Sequence, residues 1–129
     1  MGQWALYDYL DANGNNIIKE WAEGLQKRHR IKLNQKPDML EQYGPNLPPQ
    51  LLAGPIAEHI YKLKVKGDVQ LRPLLCKGPI DNEQEYTLLV GAKEIQSKLN
   101  PPDAVERAIE HRQAIVDDIL RRCKHERVN

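Results

Sequence analysis

The chain predicts an α+β fold: a small antiparallel-rich sheet of about four strands, two helices in the N-terminal half and one helix at the C-terminal end. Three observations carry this. Residues 60–93, IYKLKVKGDVQLRPLLCKGPIDNEQEYTLLVGAK, alternate with the period of strands and break at Gly67-Asp68 and at an acidic turn. Before them, two segments have helical spacing and are closed off by glycines. After them, a proline-started segment carries one apolar stripe of helical period. At 129 residues the length suits one core, so residues 1–129 are read as a single domain.

Taken in order, residues 4–10 (WALYDYL) form a strand that ends at Asp11-Ala12-Asn13-Gly14, a strong turn signal. A short helix follows from about Asn16, its N-cap, with Ile17, Ile18, Trp21 and Leu25 on one face and Gly24 weakening its end. A second helical stretch spans about 27–43, is interrupted at Pro37 and stops at Gly44. Residues 45–55, with four prolines and a glycine, read as an extended connector. The final helix is marked by Asn100-Pro101-Pro102-Asp103, which supplies a cap, an early proline and an acid at the positive helix end. Its stripe is Val105, Ala108, Ile109, Arg112, Ile115, Val116, Ile119, Leu120 and Cys123. Arg112 lies inside that stripe, either snorkelling outward or bridging to the sheet. Arg121, Arg122, Lys124 and Arg127 suit a helix C-terminus electrostatically.

The strands at about 59–66, 70–77 and 85–93 carry the unusual chemistry. Tyr61, Leu63 and Val65 alternate with Lys62, Lys64 and Lys66, and Arg72 interrupts the next strand. Register follows the pairing that buries one face. A three-residue loop, Gly67-Asp68-Val69, sets Lys64 against Arg72, Val65 against Leu71 and Tyr61 against Leu75. The expectation is a sheet with one apolar face and one cationic ridge. Lysines on an outer face also serve simply as solvated guards against aggregation. Residues 86–93 are apolar on both faces and so belong at the centre of the sheet. Gly91, on the face of Lys93, admits a close neighbour, either backbone or substrate.

Composition narrows the function. There are 19 basic and 18 acidic residues, so any attraction to nucleic acid must come from clustering. Aromatic residues make up 5% and phenylalanine is absent, which leaves few platforms for stacking bases. The densest basic run is Lys27-Arg28-His29-Arg30, continued by Lys32 and Lys36. It is either a solvated helix face or an electrostatic footprint on phosphates. No segment has the length and apolarity of a membrane span, and two distant cysteines, Cys76 and Cys123, fit a reduced, cytoplasmic protein. The Asp11–Asn16 turn fails as a calcium loop, because its sixth and twelfth positions are Asn16 and Ala22. His29, His59, His111 and His125 are scattered without an acid or serine at a telling spacing. Neither a metal site nor a cofactor site can be assembled.

The stretch LRPLLCKGP, an acidic turn, EYTLLVGAKE and a proline-started helix resemble the RelE/ParE superfamily of toxins from bacterial type II toxin–antitoxin systems. The nearest branch is phage-derived and HigB-like. The specific part is residues 60–112; the N-terminal half matches in layout, through an opening strand, the NGNN turn and the Trp21 helix. The resemblance implies a RelE-like fold and a metal-independent endoribonuclease (mRNA interferase) that enters the ribosomal A site and inhibits translation. There the messenger's 2′-hydroxyl attacks the adjacent phosphate, while cations hold the transition state and one group protonates the leaving oxygen.

Position by position, Lys64 falls where the family usually has arginine, and Lys62 falls at an acidic position. Arg72 matches the arginine of a Tyr-Arg motif in which Leu71 replaces tyrosine, and Lys93 lies near a lysine pair. Lys64, Arg72 and Lys93 are therefore the implied catalytic residues. Lys62, Lys27, Arg28, Arg30 and Lys32 are the implied RNA- and ribosome-binding residues. Lysine at 64 is not a conservative replacement, since arginine grips phosphate with two parallel bonds. The implied partners are a cognate helix-turn-helix antitoxin, the ribosome and its message, with no membrane and with room for a homodimer. Two other readings stay open: a ParE-like inhibitor of DNA gyrase without RNA chemistry, and a degenerate phage or prophage protein that only binds a partner.

Overall fold

A carboxylate turns the first corner of the chain. The computed structural model describes residues 3–129. Strand β1 (Ala5–Tyr9) ends at Asp11, whose side chain accepts from the Asn13 and Asn15 amides at 2.9 and 2.8 Å. Asn16 then caps α1 (Ile17–Glu23), accepting from the Lys19 amide at 2.9 Å, and Gly24 closes it. Helix α2 (Lys27–Tyr43) runs unbroken through Pro37, where an interruption was expected. A mid-helix proline costs about 3 kcal/mol; here Pro37 is buried with Leu33 and Leu40 on the inward face, and that packing holds the helix together. At Gly44 the backbone takes φ 51°, and any side chain there would collide with the Trp4 indole.

The connector expected at 45–55 gives way to strand β2 (Leu52–Ala57), an edge strand the sequence did not reveal. Pro55 lies where the β2 register shifts between Ala53 and Ala57, at a sheet edge that tolerates a missing N–H. Then come β3 (Ile60–Leu63), β4 (Gln70–Leu71), β5 (Leu74–Lys77), β6 (Glu85–Val90), β7 (Lys93–Ile95), β8 (Lys98–Asn100), α3 (Ala104–Asp117) and β9 (Arg122–Lys124). The main sheet has six strands in the order β2-β3-β5-β6-β1-β9, all antiparallel except the β1–β6 pair, and a second sheet joins β4-β7-β8. The fold class is α+β, with more strands than the four expected.

The expected hairpin register holds at Tyr61↔Leu75 and Val65↔Leu71. Between those pairs the ladder is diverted. The Lys64 amide donates to Leu51 O at 2.7 Å and the Arg72 amide to Ala92 O at 2.8 Å. The strand expected over 70–77 is thereby split between the two sheets.

Both faces of the main sheet are buried, which corrects the expectation of an open cationic ridge. Leu63, Leu75, Tyr86 and Leu88 pack with Ile18 of α1 and Leu40 of α2. On the opposite face Ile60, Leu74, Cys76 and Leu89 pack with Ala104, Ala108 and Ile115 of α3. Strand β6 is buried at all six positions, as its two apolar faces required. Helix α3 starts after Asp103 rather than at Asn100, and it stops at Asp117. The expected helical stripe through Cys123 fails because residues 122–124 pair with the free edge of β1, exchanging a last helical turn for a strand ladder. Among the described residues no helix is long and apolar enough to cross a membrane.

Candidate functional site

Glu94, which the sequence did not single out, gathers two of the expected cations. The Arg72 amide is tied to Ala92, so the chain crosses between the two sheets at this point and its side chain is laid along the seam. β7 carries Glu94 opposite Gln70 of β4. Lys62 Nζ lies 3.2 Å from Glu94 Oε1, and Arg72 Nε lies 3.4 Å from the same oxygen. Arg72 also donates from Nη1 to Leu71 O at 2.9 Å and from Nη2 to Gln70 Oε1 at 3.1 Å. It is 6% exposed. Burial opposes ionisation of Glu94, but the Lys62 hydrogen bond and charge, with Arg72 behind them, hold its carboxyl below the usual range. Two cations on one carboxylate leave one net positive charge in the seam.

The other expected site residues fall into two groups. Lys64 and Lys93 are half-buried, Lys93 next to Glu94 in β7 and opposite Leu71 in the second sheet. Among the described residues neither makes an ion pair. On α2, Lys27, Arg28 and Lys32 are exposed. Lys32 Nζ sits 3.0 Å from the position a Cβ on Gly67 would occupy, and Arg28 pairs with Asp68 at 3.3 Å. The basic end of α2 therefore abuts the tip of the hairpin, where Asp68 takes up the charge of Arg28. Arg30 turns inward instead. Its Nη1 donates to Leu25 O at 2.6 Å and holds the α1–α2 corner. Gly91 does admit a close neighbour, and the neighbour is the Trp21 ring rather than backbone or substrate.

A second polar cluster joins the two ends of the chain. Asp8 is 0% exposed and accepts from Asn16 Nδ2 at 2.9 Å, His125 Nδ1 at 2.8 Å and the Glu126 amide at 3.0 Å. No sequence signal announces it, because only the β1–β9 pairing brings residue 125 to residue 8. Beside it, burial and then the charges of Asp8 and Glu126 push the Cys123 thiol up. Burial pushes Cys76 to about 12. Neither thiol is set up as a nucleophile. The C-terminal cations expected to decorate a helix end instead make tertiary contacts: Arg122 of β9 pairs with Glu85 and lies 3.8 Å above the Tyr7 ring, Arg121 just before β9 donates to Tyr9 Oη at 2.6 Å, and Arg127 pairs with Asp38 of α2 at 3.0 Å. Among the described residues no group of three or more His, Cys, Asp or Glu side chains is placed to hold a metal ion.

Comparison of the chain with protein-family models, with curated proteins and with solved structures yields no match.

Proposed function

We propose that this chain is the toxin of a toxin–antitoxin pair, a RelE/ParE-like protein of the HigB-like kind that binds the ribosome in the cytoplasm and cleaves messenger RNA. The observation that carries the reading is the contact of Lys32 with the Gly67 hairpin. It brings the basic end of α2 to the loop that follows Lys66, a local gathering of positive charge, with Arg28 paired to Asp68, on a chain whose overall charge is only +1. The element order supports it in outline: an opening strand, two helices, strands that include β3, β5 and β6, then a helix, with β2, β4, β7, β8 and β9 additional to the expected layout.

In this reading the RNA supplies the nucleophile, its own 2′-hydroxyl, and the protein supplies fixed positive charge around the scissile phosphate. Lys64 and Lys93 meet the phosphate directly. Arg72, buried on Glu94, reaches it only by exchanging that carboxylate for a phosphate oxygen; otherwise it holds Glu94 and the strand seam in position. A helix-turn-helix antitoxin with an acidic amphipathic segment would silence the toxin by covering the α2–hairpin surface.

In vitro translation with purified protein, mapped by primer extension, tests the proposal. Expected are message cuts that need the ribosome, with Lys64→Ala and Lys93→Ala each lowering the rate about 10²–10³-fold. The burial of Arg72 against Glu94 favours a second reading, a gyrase-directed or purely partner-binding protein with no RNA chemistry. Growth arrest without message cleavage, equal in the unmodified chain and in both lysine variants, would establish that alternative and end the nuclease reading.

A further inference from the structure

Helix α3 leaves part of its surface uncovered. Ile109 and Val116 are exposed, as are Ile119 and Leu120 just beyond the helix, Leu120 at 78%. On one side of them lie Asp103, Glu106, Glu110, Asp117 and Asp118, all exposed, and on the other the half-buried Arg112, which lines one shallow cleft with Ile109. Among the described residues none of these five acids makes an ion pair. On the other side of the main sheet, α2 presents the reciprocal chemistry. Ile31 is 53% exposed and shares the outward face with Lys27, Arg28 and Lys32, of which Arg28 pairs with Asp68; Asp38, two turns on, pairs with Arg127, and Tyr43 is exposed further along. Positions 27, 28, 31 and 32 share that face by helical spacing.

We infer that the acidic, apolar surface of α3 docks the basic, apolar surface of α2 on a second copy of this chain. Charge complementarity selects this occupant: an apolar stripe with acids along one side fits an apolar residue with bases beside it, and one chain carries both. The geometry also fixes the kind of assembly. α2 packs on one face of the main sheet and α3 on the other. The two patches of a single copy therefore point away from each other, and a closed two-fold pair cannot satisfy both contacts. The interface is head-to-tail, and successive copies add beyond two, into an open chain or, where the rotation closes, a ring. A single helix-on-helix contact is small, so the association is weak, dependent on concentration and sensitive to salt.

Sedimentation velocity on the purified full chain tests this without reference to any RNA activity. In low salt the weight-average mass rises past two copies as concentration increases. At about 1 M salt, where the screening length is about 3 Å, it returns to one copy. The triple variant Lys27→Glu, Arg28→Glu, Lys32→Glu stays at one copy alone, and so does Glu106→Lys, Glu110→Lys, Asp117→Lys. An equimolar mixture of the two associates again, because each reversed face then meets a complement. Circular dichroism confirms that the variants are folded, and carbodiimide treatment of the unmodified chain gives an intermolecular α2–α3 cross-link. A mass fixed at one copy in low salt overturns the inference. So does assembly that survives both reversals, or a dimer that does not grow.

Discussion

Glu94 decides what the cationic strand residues can be. Lys62 and Arg72 both face its Oε1, at 3.2 and 3.4 Å, and Arg72 has almost no contact with water. Removing the charge by Glu94→Gln leaves a guanidinium buried without a counter-ion, and stability should fall by about 3 kcal/mol, read from the urea midpoint. The same carboxyl sets an acid limit. Its folded pKa lies below 4.5, so its contribution is complete above that value and is lost as pH falls through the lowered folded one. Glu94→Gln should flatten that part of the stability curve. If the variant is as stable and as acid-sensitive as the unmodified chain, the seam is not held by this pair.

His111 acts in a higher window. It stacks on Tyr9 at 3.9 Å between centroids and donates from Nδ1 to Leu89 O at 2.8 Å. Burial, the largest influence, and nearby arginines lower its pKa from 6.5 despite that hydrogen bond. A depressed pKa means stability present above 6.5 and lost as pH falls below it. His111→Gln should remove the slope just under pH 6.5 in a thermal-melt series, at some expense in packing.

At the scale of elements, α1 is positioned by a glycine in a strand-to-strand link. Gly91 follows β6 and lies directly against Trp21 of α1, leaving no room for a methyl group. Gly91→Ala should therefore displace the indole, shift its fluorescence and cost about 1–3 kcal/mol. A variant with unchanged fluorescence and midpoint would show that α1 moves freely on the sheet. At the other end, β9 joins the free edge of β1 and delivers His125 to Asp8. His125→Ala should destabilise by about 1.5–3 kcal/mol, the usual range for a hydrogen bond to a charged group. Chemical denaturation measures it, and a loss below a few tenths would mean that Asn16 and the Glu126 amide suffice for Asp8.

On the scale of the whole molecule, balanced composition hides an uneven distribution. The basic end of α2 and the Gly67 hairpin meet on one side of the sheet, and exposed acids follow α3 on the other. In the ribosome-binding reading proposed above, reversing Arg28 and Lys32 to glutamate should weaken that binding and make its salt dependence shallower, because fewer counterions are released per binding event. Filter binding across a salt series reads both effects. Equal slopes for the variant and the unmodified chain would place the RNA-facing surface elsewhere.

The amino-acid order alone determined what short-range chemistry can determine. Asn16 and Gly24 bound α1, Gly44 stops α2, the apolar β6 run lies at the centre, and the Tyr61↔Leu75 and Val65↔Leu71 register follows from burying one set of side chains. The α+β class follows from these. Tertiary structure decided everything that depended on competition for backbone partners. Pro37 stayed helical because its ring is buried with its neighbours, and 122–124 left the helical pattern because β1 had an edge to fill. Arg72 was withdrawn from solvent because its amide found Ala92 and its guanidinium found Glu94. Those choices rest on hydrogen bonds and burial between residues far apart in sequence, and local periodicity carries no information about which distant edge or carboxylate will be within reach.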